Sequence, residues 1–262
     1  MRVFSIEKDI VWYIIETMAY DILIQSGFLL DGSGKSAVLA DVGITGDTIT
    51  AVGNLDGASA KILIPARGKF VVPGFIDITN HSDTHLSLFH YPNLESLAMQ
   101  GITTIIGGNC GASLAPLASA TAINAIQKWA DPASINRNWT TMGEYLDTVE
   151  TMRPALNYGC FVGYGTLRRG VIGNDVRLLE FQEREQVKLL LREAMREGAY
   201  GMTLGLLYGH EHISPTEEII EIARVLREKN GIVKIHLRSE GVGIVGSVNE
   251  AIRIGREAEV PI

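Results

Sequence analysis

The sequence predicts an α/β fold: a parallel sheet built from repeated βα units, preceded by a small module of strands. Three observations carry this. From Val71 to the last residue, short Val/Ile-rich runs alternate with longer amphipathic stretches, the pattern of a parallel sheet covered by helices. Before Val71 only strands and turns are legible. Glycine supplies 28 of the 262 residues, which suits many tight strand-to-helix turns. About five βα units, with one more strand beginning at Val260, fit an incomplete TIM (β/α)8 barrel better than a closed small domain. A doubly wound sheet is the rival. It would place a glycine-rich phosphate turn after its first strand, whereas here that strand runs into Asp77 and His81.

The formal net charge of -7 and the lack of a Lys/Arg stripe argue against nucleic acid as a partner. Two cysteines, Cys110 and Cys160, form no CxxC pair and no disulfide framework, so a reducing, cytoplasmic location is expected. No apolar run reaches the ~18 residues of a membrane span. Residues 1–18 are read as an N-terminal extension with Met18 as the natural beginning. Their apolar stretch Ile10 to Ile15 is short and flanked by Lys8, Asp9 and Glu16, unlike a secretory signal.

Residues 19–70 form the small β module. Strands are expected at Tyr20 to Gln25, Ala37 to Ile44, Thr48 to Val52 and Lys61 to Pro65, with turns at Asp31-Gly32, Ser33-Gly34 and Gly46-Asp47. Residues 71–262 form the second part. Its first strand, VVPGFIDITNH from Val71 to His81, reads as a buried run ending in polar groups. A short helix at Leu94 to Gln100 leads to a second buried strand, Ile102 to Gly107. Helices follow at Ala120 to Ala130 and Thr141 to Met152, then a third strand at Tyr158 to Gly163. Glu180 to Gly198 is a long helix with apolar Val187, Leu190, Leu191 and Ala194 near the helical period. Tyr200 to Leu206 is the fourth strand. Pro215, well placed at a helix start, opens a helix through Glu228. Ile232 to Leu237 is the fifth strand, and Val248 to Ala258 is the last helix.

The chemistry-bearing residues follow the strands. His81 comes after the first, Cys110 after the second in GGNCG, and His236 at the end of the fifth in KIHLRSE. In a parallel barrel the strand ends converge on one face, so these three would meet. Imidazole and thiolate both bind zinc, and three protein ligands plus water describe a catalytic zinc site. Asp77 is placed to orient a ligand from behind, and could equally cap a turn. Cys160, among apolar neighbours, reads as core. His210 and His212, in YGHEH, read as a solvated loop because Glu211 and Ser214 stand beside them.

These residues carry a resemblance. VVPGFIDITNHSD is similar to the metal-binding strand of the amidohydrolase superfamily. GITTIIGGNCGASLAPL resembles the signature of the N-acyl-D-amino-acid deacylases, the D-aminoacylases, in which a cysteine after the second strand is a zinc ligand. VGYGTLR, GMTLGLLYG and IHLRSEGVGIVGSVNEAIRIGREAEVPI agree, and the match runs from about Ala19 to the last residue. The resemblance implies a zinc-dependent hydrolase that cleaves the amide of N-acyl-D-amino acids, on a TIM barrel with a small β-sandwich made from both chain ends. It implies His81, Cys110 and His236 as metal ligands, with Tyr208 and Arg238 at the substrate. Two positions depart from the family pattern: Thr79 stands where the first histidine of HxH belongs, and Tyr164 where relatives often carry a histidine. The family's next histidine ligand, its catalytic aspartate and the rest of its sandwich would fall beyond Ile262. The expectation is therefore an N-terminal portion with no catalytic residue of its own, weak zinc binding and little or no turnover alone, and a complementing chain as a partner. A dihydroorotase- or hydantoinase-like cyclic amidase and a non-catalytic truncated subunit are the competing readings. GGNCG after the second strand argues against the cyclic amidase, as does Lys234 in the fifth strand without the context of a metal-bridging lysine.

Overall fold

The computed structural model describes residues 20–262, so the extension expected over residues 1–18 lies outside the described residues. Contacts divide the chain into two compact units, one ending at Pro73 and one running from Gly74 to Ile262.

The first unit is a single five-stranded sheet: β1 (Tyr20–Leu29), β2 (Val38–Thr45), β3 (Thr48–Gly53), β4 (Ala60–Pro65) and β5 (Phe70–Val71). β1 is its spine, antiparallel to β2 and parallel to β4 and β5. The ladder between β1 and β2 slips between Ile24 and Gly27, and there buried Asp41 accepts the freed amide of Ser26 at 2.7 Å and that of Leu55 at 2.9 Å. A buried carboxylate is tolerated because both of its oxygens are used. Tyr20, Leu23, Val42 and Ala66 are buried in this unit. Val71 pairs with Leu29 here, so it does not open the first strand of the parallel sheet as the sequence suggested.

That strand is β6 (Phe75–Asp77). It pairs in parallel with β7 (Ile102–Gly107), which pairs with β8 (Asn157–Cys160); β9 (Val162–Gly163) pairs with β10 (Gly201–Gly205), and β10 with β11 (Ile232–His236). Only Phe161 separates β8 from β9. Hydrogen bonds continue past the break, from Phe161 N–H to Gly107 C=O and from Tyr200 N–H to Cys160 C=O. Strand positions thus follow chain order from β6 to β11 with no reversal. A doubly wound sheet reverses its order at a switch point, and this one does not.

Helices occupy the returns: α1 (Ser87–His90), α2 (Glu95–Ala98), α3 (Met142–Met152), α4 (Tyr164–Ile172), α5 (Phe181–Arg196), α6 (Gly209–His212), α7 (Thr216–Ala223) and α8 (Ile244–Ala258). α3 starts on a capping box in which Thr141 and Glu144 each accept the other's backbone N–H. α5 buries Val187, Leu191, Ala194 and Met195, the stripe expected of its period. Together with Ile105, Leu114, Ile126, Met142, Met202 and Leu204 these side chains form one continuous core.

The structure corrects several expectations. Ala120 to Ala130 is not an α-helix; only Ala122–Ile126 coils, as a 3-10 turn. The helix from Pro215 gives way to 3-10 geometry over Arg224–Lys229. α4 was not expected, because glycines at 163, 165, 170 and 173 obscure its period. Phe75 and Ile76 of β6 are 58% and 63% exposed, so this strand is an apolar edge in the described residues and not a buried run. The YGHEH segment is a turn of helix with His210 and Glu211 buried, and not a solvated loop. Among the described residues, no helix is long and apolar enough to cross a membrane.

Candidate metal centre

The site is built around Cys110, on the loop that leaves β7. Cys110 adopts φ +54°, a left-handed conformation that side chains other than glycine seldom take, and it is flanked by Gly108 at +71° and Gly111 at +73°. Both glycines are forced. A Cβ on Gly108 would strike the Phe161 carbonyl, and one on Gly111 would strike the Glu211 carboxylate. Buried Thr203 of β10 braces the loop, donating to Gly108 C=O at 2.5 Å and accepting Gly111 N–H at 3.2 Å. Asp83, almost fully buried, accepts Gly108 N–H at 2.6 Å. Burial pushes its carboxyl up to about 6.

His81 and His236 both reach this cysteine. His81 Nε2 and His236 Nδ1 each lie 3.5 Å from Cys110 Sγ. The other ring nitrogen of His81 meets Thr84 Oγ1 at 2.9 Å, which fixes the ring with Nε2 toward the sulfur. His236 Nε2 is buried and has no hydrogen-bond partner among the described residues, the Glu240 carboxylate standing 3.5 Å away. Among the described residues, no three His, Cys, Asp or Glu side chains are closed into a metal cage; the imidazoles meet through the one sulfur instead. Burial lowers the pKa of His81, which favours the neutral, ligating imidazole. It raises that of Cys110 despite the opposing charges of Lys128 and Lys234.

Asp77 caps a turn: it accepts Thr79 N–H at 3.0 Å and Asn80 Nδ2–H at 2.8 Å, and its hydrogen bonds do not reach His81. Asn80 in turn is tied through its carbonyl to Asn109, so Asp77 positions the end of β6 against the cysteine loop. The Tyr164 hydroxyl is taken up in a buried network with Arg168, Ser214 and Glu218. Cys160 is core, 1% exposed, with its thiol against the Met142 sulfur.

Tyr208 packs edge-on to His236 with ring centres 5.2 Å apart. It also lines a cavity of about 450 Å³ together with Gly111, Lys128, Arg169, His210 and Glu211. Lys128 lies over the Tyr208 ring at 3.0 Å and over Trp129 at 4.1 Å. The residue is exposed at the surface, yet desolvation of the ammonium against these groups brings its pKa down to about 8. Arg169 Nε is buried without a hydrogen-bond partner among the described residues, while Glu211, buried, accepts Gly205 N–H at 2.7 Å. Arg238 is not in this cavity. Its guanidinium is spread over the Glu250 carboxylate at 2.7 Å and the carbonyls of Ser214 and His212. Sequence reasoning missed Lys128, Trp129 and Arg169, which stand in no motif and come together only through the fold.

No family model matches the chain. Over 247 residues it is 37% identical to the D-aminoacylase of Alcaligenes xylosoxydans xylosoxydans, an alignment covering 94% of this chain and 50% of that protein. A solved D-aminoacylase with a binuclear metal centre, described as activated by one metal and attenuated by the second, superposes with a TM-score of 0.85 at 37% identity. It covers 92% of this chain and 50% of the other. The N-acyl-D-glutamate deacylase of Bordetella bronchiseptica, solved with zinc and a phosphonate mimic of the tetrahedral intermediate, gives 0.84 at 30% identity over the same shares. The structures that superpose on this fold are amidohydrolases. Over the aligned stretch the chain is similar to the N-acyl-D-amino-acid deacylases, or D-aminoacylases. It spans about half the length of the curated relatives it matches.

Proposed function

We propose that this chain carries the metal-binding part of a zinc-dependent hydrolase of N-acyl-D-amino acids, releasing a D-amino acid and a carboxylate. The observation that carries the reading is Cys110 held between His81 and His236, 3.5 Å from each, at the ends of parallel strands. Two imidazoles and a thiol are a soft donor set that suits zinc, and buried His236 Nε2 has no hydrogen bond among the described residues. When bound, zinc supplies a Lewis acid for the amide carbonyl and lowers the pKa of water. The strand order from β6 to β11 supports reading this unit as the first part of a (β/α)8 barrel, and the small sheet before it is read as part of a sandwich.

The chain's own residues then divide the work. Thr84 holds His81 in the tautomer that presents Nε2. Lys128 and Arg169, unpaired in the cavity beside Tyr208, attract the carboxylate of the substrate. Arg238 positions the Gly209–Ser214 segment behind Tyr208 through its carbonyl contacts. Trp129 and Tyr208 cover one side of the site and limit water.

The test is zinc content of the chain, with hydrolysis of N-acetyl-D-methionine and its L-enantiomer in the same sample. Near-stoichiometric zinc that disappears in Cys110→Ala is expected, and no zinc would overturn the metal reading. D-selective turnover places the activity in this chain. Turnover that appears only with a second polypeptide carrying further barrel elements places it in the assembly. Bound zinc without turnover in either case would favour the non-catalytic reading.

A further inference from the structure

We propose that Lys234 fills the second cation position of this centre with its own ammonium, so that the chain holds one metal ion where its D-aminoacylase relative has a binuclear centre. The inference rests on the metal site proposed above and concerns how many ions that site takes. Lys234 Nζ donates to Ile78 C=O at 2.5 Å, Thr79 Oγ1 at 2.7 Å and Asn109 Oδ1 at 2.8 Å. An ammonium has three hydrogens, and all three are used. The acceptors come from the ends of β6 and β7, the strands that deliver His81 and Cys110. Lys234 itself precedes His236 by two residues on β11, and in a strand such residues share a face. The ammonium therefore sits beside the ligands and belongs to the same layer of side chains.

The acceptors leave little for a metal. Thr79 stands two residues before His81, and its hydroxyl is a poor zinc ligand already occupied by Lys234. Asn109, fully buried, is locked. Its amide nitrogen donates to Asn80 C=O and Ile106 C=O, both at 2.7 Å, which turns its oxygen to the lysine. A divalent ion entering here would lose these oxygens to the ammonium and face its charge at close range. A fixed positive charge near the Cys110 sulfur remains available without a second metal. In the relative the second metal attenuates activity, so this arrangement removes the binding position for an attenuating ion.

The experiment is zinc stoichiometry of the whole chain after dialysis against increasing buffered zinc, counting only ions lost in Cys110→Ala. Cobalt substitution gives a second readout through the thiolate charge-transfer band. The wild-type chain should saturate at one ion, and the Thr79→His/Lys234→Ala double variant at two. Two ions on the wild type would overturn the inference and leave the metal site standing, as would a single ion on a double variant whose circular dichroism is native. No zinc on the wild type would remove the metal reading, and this inference with it. If the double variant does not fold, the wild-type count still decides.

Discussion

Arg168 is fully buried and pairs with Glu218 at 2.8 Å, while Tyr164 OH donates to the same carboxylate at 2.5 Å. Removing one partner strands the other charge in the core. Arg168→Met is expected to cost roughly 3–5 kcal/mol by urea unfolding, and Glu218→Gln less, since its amide keeps an acceptor. Gly108→Ala puts a Cβ into a backbone carbonyl that cannot swing away, at a φ where alanine is strained. It should lose both stability and zinc, whereas the same change at Gly209, with open space around it, should leave both near wild type. Glu211 gives a pH prediction. Burial lifts its carboxyl from 4.5 to about 7. Between those values the folded chain keeps a proton that the unfolded chain has released, so its stabilising effect is lost as pH rises through that window. Glu211→Gln should therefore gain stability relative to wild type from about pH 5 to 7 and hold that gain above it. Parallel curves for the two proteins across this range would refute the assignment. At this scale the placement of His81, Cys110 and His236 was legible because each follows or ends a strand. Lys128 and Arg169 were not, because no local pattern marks a cation whose partner is a cavity.

Each element holds or fails on local chemistry plus one buried stripe. The α3 capping box satisfies N–H groups that the helix cannot. Thr141→Ala should cost about 1 kcal/mol, read by urea unfolding, with Thr141→Ser close to neutral. α8 differs from the others. It buries Ser247, Ile254 and Ala258 on one side, yet Ile244, Val248 and Ile252 repeat every fourth residue on another face and are 37%, 41% and 52% exposed. Short elements were the hardest to foresee. β6 keeps only three residues because β5 takes Phe70 and Val71 into the other sheet, and a run of apolar residues does not show where one sheet ends and another begins.

Across the second unit, the exposed apolar edge of β6 and the apolar outer face of α8 are surfaces that proteins ordinarily cover. Concentration-dependent self-association in sedimentation velocity is expected, and Ile76→Lys with Ile252→Lys should reduce it while leaving the circular dichroism unchanged. A monodisperse chain across the accessible concentration range would show that these surfaces do not attract one another. The order of strands from β6 to β11 was legible before the structure, since each βα unit announces itself by an apolar run and an amphipathic return. The junction at Pro73 and the interruption at Phe161 were not.

By itself the sequence determined the alternation of strands and helices, and the strand-end positions of His81, Cys110 and His236, because hydrophobic period and chain order are local properties. Family resemblance was readable there too, since GGNCG and its neighbours are contiguous. Tertiary structure alone decided which nitrogen of each histidine faces the sulfur, that Asp77 closes a turn, that Glu250 occupies Arg238, and that Lys234 spends its three hydrogens on Ile78, Thr79 and Asn109. Those outcomes depend on hydrogen-bond partners as many as 156 residues apart in the chain. A charged or polar side chain takes whatever acceptor the packed fold brings within 3 Å, and sequence spacing does not encode that distance.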